Sequence, residues 1–177
     1  EESAAMWDAD GTGYFVEGHY DTDLAAAFGK ARRAQADEFA PTAKLKCILG
    51  QYLKQEYYGR YHGKASNLRP ELQAAYDDQL ETYDILAMPT TPMTAFEMKE
   101  EIGRKEAVNR AQGKQGRTRN TMPFDMTGHP ALSLPCGTNE TGLPIGLMLV
   151  GDHFDEETVI SVADAFERAT EWTDRQY

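Results

Sequence analysis

Ile145-Gly146-Leu147-Met148-Leu149-Val150 constrains the fold more than any other stretch of the chain. A half-exposed strand alternates polar and apolar residues. A run that is apolar on both faces reads as a strand covered by layers on both sides. It ends a longer segment, Asn120 to Gly151, that opens with the polar pair Asn120-Thr121 and turns at Thr127-Gly128-His129-Pro130. A first apolar run, Ala131-Leu132-Ser133-Leu134, follows that turn. Asn139, Gly142 and Pro144 then supply the residue types of a tight connection into the second run. The direct reading is a β-hairpin or a pair of neighbouring strands. Upstream, Tyr83-Asp84-Ile85-Leu86-Ala87-Met88 is a third short run, ended by Pro89. Three strands buried on both sides make a thin sheet, so the pattern predicts neighbouring strands from another segment or chain.

The remainder reads mainly as helix. A helix is expected from Asp23 to about Phe39, capped by Asp21 or Thr22 and stopped by Pro41. A second begins at Thr42. Its apolar positions Leu45, Ile48, Leu49, Tyr52 and Leu53 recur every three or four residues, Tyr57 and Tyr61 extend the stripe, and Gly63 closes it. Pro70 fits the first turn of a third helix running to about Thr82, with Leu72, Ala75, Tyr76 and Leu80 on one face. A helix feeding an apolar strand is half of an α/β layer. Ligands in doubly wound sheets gather past the C-terminal ends of strands, where Pro89-Thr90-Thr91-Pro92 would sit. Residues 95–119 mix both charge signs and read as a solvated helix face or loop, with Lys114, Arg117 and Arg119 on a glycine-bearing loop. A last helix follows Asp155, a good N-cap, with Glu156 and Glu157 favouring its positive end. Val159, Ile160, Val162, Ala163 and Phe166 form its buried stripe, and Trp172 anchors its end.

Composition excludes several function classes. The net charge of −11 opposes nucleic acid or an anionic membrane surface as partner. The longest apolar runs are near six residues, far below the roughly 20 of a membrane helix. Two cysteines, Cys47 and Cys136, are too few for a disulfide framework, which makes a reducing cytoplasm the expected location. The start, Glu1-Glu2-Ser3-Ala4, has no signal-peptide pattern and no initiator methionine, as expected of a processed chain or a piece of something longer. The aromatic cluster Tyr52, Tyr57, Tyr58 and Tyr61 beside Arg60, His62 and Lys64 reads as packing at helical spacing in an acidic chain.

No self-contained active site is visible. Cys136, in Pro135-Cys136-Gly137, reads as a packing residue in a tight turn and not as a nucleophile based by His129 or His153. His19, His62, His129 and His153 lack the spacings of zinc sites, so no metal and no cofactor is expected. Carboxylate pairs such as Asp125 with Asp152 or Glu157 are not placed by sequence. Gly11, Gly13 and Gly18 in the loop-rich first twenty residues do not have phosphate-loop spacing.

Two motifs carry a resemblance. The segment NTMPFDMTGHPALSLPCG, then GLPIGLMLVG, then the acidic helix start at Asp155, resembles the C-terminal part of amidase signature family enzymes. Tyr83 to Pro92 is the second match, upstream and in the right order. The resemblance implies carboxamide hydrolysis to carboxylic acid and ammonia through an acyl-serine, by a Ser–cis-Ser–Lys triad. The segments carrying that triad have no counterpart here, so no catalytic residue is expected in this chain. By resemblance, Asn120, Thr121 and Phe124 are substrate-pocket walls, with Met122, Thr90 and Pro92 behind them. Asp125 stands where many relatives carry asparagine.

The fold class that follows is α/β, part of a three-layer α/β/α architecture with a mixed sheet completed by another segment or chain. Residues 1–177 are then the C-terminal part of a single amidase domain, 1–82 mainly helical and 83–177 carrying strands, hairpin and final helix. The expected partners are the N-terminal part of the same enzyme and a small-molecule amide, with a homodimer of the whole enzyme as a further expectation. Lys44 to Gly50 and Tyr57 to Lys64 look more like stand-alone amidases than like the amidotransferase subunits that feed ammonia to charged tRNA. That within-family alternative stays open, as does a non-catalytic scaffold that kept the fold.

Overall fold

A computed structural model of the chain describes residues 7–11, 19–97, 103–113 and 116–170. The elements in order are α1 (Thr22–Ala34), a 3₁₀ turn (Ala36–Glu38), α2 (Pro41–Tyr57), α3 (Arg60–Leu80), β1 (Leu86–Pro89), α4 (Arg104–Gly113), α5 (Met122–Thr127), β2 (Ala131–Thr138), β3 (Pro144–Val150) and α6 (Glu156–Thr170). The chain divides into two compact units, one of residues 1–67 with 101–113, the other of residues 68–100 with 114–177. The glycines at 13 and 18, Lys114 and the expected anchor Trp172 lie outside the described residues.

In the first unit Asp21 caps α1, accepting from the backbone N–H of Asp23 and Leu24 at 3.0 Å each. A cap of this kind is worth about 1 kcal/mol. Helix α1 stops at Ala34, earlier than Phe39, and the chain continues as the 3₁₀ turn. Trp7 packs edge-on to Phe39, ring centroids 4.5 Å apart, and against Phe28 at 5.9 Å. The carboxylate of Asp10 pairs with Arg32 and Arg33. Of the two readings for the mixed-charge stretch, a solvated helix face or a loop, residues 104–110 take the helix, α4.

Two sequence expectations fail between α2 and α3. The periodicity predicts one stripe through Tyr57 and Tyr61 to Gly63, with a new helix at Pro70. Instead the break falls at Tyr58 (φ 52°) and Gly59 (φ 79°), both left-handed, which ends α2. Helix α3 then runs unbroken from Arg60 through Gly63 and past Pro70. An interior glycine costs about 1 kcal/mol and an interior proline about 3. Strong helix formers on both sides, such as Lys64-Ala65 and Glu71-Leu72-Gln73-Ala74-Ala75, carry the helix through.

The second unit holds the sheet, in the order β1-β3-β2. Both pairings are antiparallel, with Leu86 opposite Val150 and Ser133 opposite Met148. The three described strands are antiparallel throughout; the expected mixed sheet is the one completed by another segment or chain. Central β3 is covered on both sides, as its apolar run predicts. On one face Leu149, with Leu147 beside it, joins Leu134 and Leu132 against Val159, Ala163 and Phe166 of α6. On the other, Met148 and Val150 join Leu86 and Met88 against Phe124 of α5 and Tyr76 of α3. Val150 is fully buried.

The β2–β3 turn is organised by Asn139, whose side-chain oxygen accepts from Thr141 N–H at 3.0 Å and Leu143 N–H at 2.9 Å. Gly142 supplies the left-handed residue at φ 82°. A bulge between Pro135 and Gly137 sets Cys136 out of register. Asp155 caps α6, accepting from Thr158 N–H at 3.3 Å. Six-residue α5 occupies what the sequence suggests is a polar lead-in and turn. Pro123 starts it, and Gly128, left-handed at φ 83°, ends it with its N–H on Phe124 O at 2.9 Å.

Candidate functional site

The second unit contains a cleft of about 320 Å³, lined by Thr90, Thr121, Phe124, Asp125, His129, Ala131, Leu132, Ser133 and Met148. Strand alternation explains which β2 residues reach it. Leu132 and Leu134 pack with the α6 cluster, which leaves the Ser133 hydroxyl on the opposite face. Thr90 follows β1 directly, its N–H bonded to Gly146 O at 2.9 Å. Its hydroxyl lies 2.6 Å from that of Ser133. A Cβ on Gly146 would stand 2.7 Å from Thr90 Oγ1 and 3.1 Å from Ser133 Oγ, so glycine is the residue that lets the two hydroxyls meet.

The loop before α5 is tied to the end of β1. Asn120 Nδ2 donates to Pro89 O at 2.6 Å, and the Thr121 hydroxyl donates to Thr118 O at 3.2 Å. Thr121, Phe124 and Asp125 therefore face the cleft from an element fastened to the strand that carries Thr90. Phe124 is buried and meets Tyr76 with ring centroids 5.1 Å apart. The arrangement offers hydroxyls and one carboxylate over an apolar floor of Phe124, Ala131 and Met148, a surface suited to a small ligand with both polar and apolar parts.

Of the six residues expected as pocket walls, Thr90, Thr121 and Phe124 line this cleft. Asn120 acts behind it, through Pro89. Met122 is largely exposed and Pro92 is exposed, and neither lines the cleft. Sequence reasoning misses Ser133, Ala131, Leu132 and Met148 as lining residues. The period-two pattern of β2 carries the signal for Ser133, a lone hydroxyl between two leucines.

Beside the cleft lies His129, in the sequence one of four scattered histidines. Its side chain is fully buried, with Nδ1 at 2.9 Å from Thr127 Oγ1 and Nε2 at 3.0 Å from Asp77 Oδ1. His153 stacks on it with ring centroids 4.2 Å apart. Cys136 is half-buried, its thiol 3.5 Å from Ile145 O, and no described histidine bonds it. Burial, with Asp8 nearby, raises the Cys47 thiol above its usual range.

A sheet covered by helices on both faces, with a hydroxyl-lined cleft at the end of β1, is an α/β architecture. The chain belongs to the amidase family, whose family model, described as Amidase, matches residues 5–160. It is 42% identical over 164 residues to an uncharacterized protein in the nthA 5′ region of Rhodococcus erythropolis, covering 92% of this chain and 80% of that one. It is 34% identical over 172 residues to a glutamyl-tRNA(Gln) amidotransferase subunit of Oceanobacillus iheyensis, covering 97% of this chain and 33% of that protein. A solved structure titled crystal structure of amidase superposes with a TM-score of 0.61 at 26% identity, over 83% of this chain and 33% of that one. The chain thus spans about a third of the length of that amidotransferase protein and of that solved amidase.

Proposed function

We propose that the chain is the C-terminal part of a single amidase domain and supplies substrate-pocket walls for the hydrolysis of carboxamides to carboxylic acid and ammonia. The observation that carries this reading is the cleft in which Thr90, Thr121, Phe124 and Ser133 meet, within a chain whose family is amidase. Asn120 holds the wall in place through Pro89. The nucleophilic serine, the bridging cis-serine and the lysine belong to the N-terminal part of the enzyme, as a separate segment or chain. There the serine attacks the amide carbonyl and expels ammonia, and water releases the acid from the acyl-serine. The acting enzyme is cytoplasmic, in keeping with two free cysteines, and pairs as a homodimer of the whole.

The test is hydrolysis of benzamide or acetamide by this chain together with the N-terminal part. Wild type releases ammonia. Phe124→Ala and Thr121→Ala raise KM more than they lower kcat, the signature of lost binding. Release of ammonia with unchanged kinetic constants in both variants would remove the pocket assignment.

A second reading is favoured by the likeness to the amidotransferase protein along 97% of the chain. Here the same chemistry produces ammonia from glutamine for a partner protein. Glutaminase activity that appears only with further subunits present would select it over the stand-alone amidase.

A further inference from the structure

Three side chains distant in sequence bring ligand atoms together beside the cleft. Asp77 comes from α3, His129 from the turn between α5 and β2, and His153 from the loop between β3 and α6. The ligand atoms they offer all lie within 4.8 Å of one another. Asp77 Oδ1 is 3.0 Å from His129 Nε2 and 3.8 Å from His153 Nε2. Tetrahedral ligation at about 2.0–2.2 Å sets neighbouring donor atoms roughly 3.4 Å apart, between these two distances.

Two further features separate this cluster from an ordinary buried histidine. His153 Nε2 is buried and has no hydrogen-bond partner. A ring nitrogen shut off from water without a partner is costly, and a cation would supply the partner it lacks. His129 Nδ1 is engaged by the Thr127 hydroxyl, the outer contact that fixes the ring of a metal-binding histidine and directs its other nitrogen inward.

We propose that Asp77, His129 and His153 bind one divalent transition-metal cation of the zinc class. Two imidazoles and a carboxylate suit Zn²⁺, Co²⁺ or Ni²⁺ better than Mg²⁺ or Ca²⁺, which take oxygen ligands. Three protein ligands leave a fourth position for water. The ion ties α3, the α5–β2 turn and the β3–α6 loop together behind His129, which also lines the cleft. This assignment is independent of the amidase reading.

The test uses untagged, chelator-treated protein titrated with ZnCl₂ by calorimetry and with CoCl₂ by visible absorption. Wild type takes up one equivalent and develops the intense d–d bands of tetrahedral cobalt. His153→Gln and Asp77→Asn, at partly exposed positions, bind at least about tenfold more weakly while circular dichroism shows them folded. Thr127→Val weakens binding by about 10- to 100-fold through the outer contact. His62→Gln and Cys136→Ser leave the affinity unchanged. Absence of stoichiometric binding by wild type overturns the proposal. So does equal affinity in the folded His153 and Asp77 variants, or a loss confined to the His62 or Cys136 variants.

Discussion

The hydroxyls of Thr90 and Ser133 meet at 2.6 Å although β1 and β2 do not pair with each other. Both strands flank β3, and the two side chains reach across it over Gly146, where no Cβ intervenes. The cleft wall thus depends on a glycine outside its lining.

Gly146→Ala is therefore expected to disturb the site more than its size suggests. Its Cβ overlaps Thr90 Oγ1 first and Ser133 Oγ second, and overpacking of this kind costs about 1–3 kcal/mol. Urea unfolding would measure the loss. Adding Thr90→Ala removes the closest clash, so the double variant should cost less than the sum of the singles. Additivity within about 0.5 kcal/mol would show that the two residues do not share the strain.

Asn120 makes a second prediction. Its amide donates to Pro89 O at 2.6 Å, so Asn120→Asp replaces a donor with an acceptor facing a carbonyl. Asn120→Ala removes the bond and should cost about 1 kcal/mol; Asn120→Asp adds repulsion and should cost about 1–3 kcal/mol. Chemical denaturation at neutral pH ranks the two. An aspartate variant as stable as the alanine variant would mean that the loop moves away from β1.

How far the sequence can be read depends on where each signal resides. Val150, Leu149 and Met148 declare a strand buried on both faces because burial on two sides leaves an uninterrupted apolar run. Asn139, Gly142, Asp21 and Asp155 mark their turns and caps because each acts within four residues of itself. Helix α3 misleads at Gly63 and Pro70, since propensity is a weak prior that flanking helix formers override. Helix α5 is too short to show a period, and the buried pair Phe124 and Thr127 gives it only one repeat. The approach of Asp77 to His129, like that of Thr90 to Ser133, exists only after the sheet and helices have packed, and no local spacing encodes it.

The two faces of β3 allow a core test. Leu149 is buried against α6, so Leu149→Ala should cost about 2–5 kcal/mol. Ile160, on the same helix, is more than half exposed, and Ile160→Ala should stay within about 0.5 kcal/mol in this chain alone. If the N-terminal part of the enzyme covers this side of α6, the Ile160 cost rises on its addition and the Leu149 cost does not. Thermal unfolding with and without that part reads both outcomes.

Asp10 predicts a pH dependence whose sign can be worked out. Hydrogen bonds from Arg32, then Arg33, hold its carboxyl below the ordinary aspartate value of 3.8. In the folded state the carboxylate is the favoured form, while the unfolded chain takes up its proton nearer 3.8. The pairing therefore stabilises fully above that unfolded value and is lost as pH falls through the lower folded value. Asp10→Asn removes the charge that both arginines meet. The difference in thermal midpoint between wild type and Asp10→Asn should be positive at neutral pH and shrink once the pH falls below the unfolded value of 3.8. Because the pair lies at the surface, added salt should also shrink it. A difference that stays constant from neutral pH to strong acid would mean that Asp10 contributes through packing around Gly29, whose Cβ position it occupies, and not through its charge.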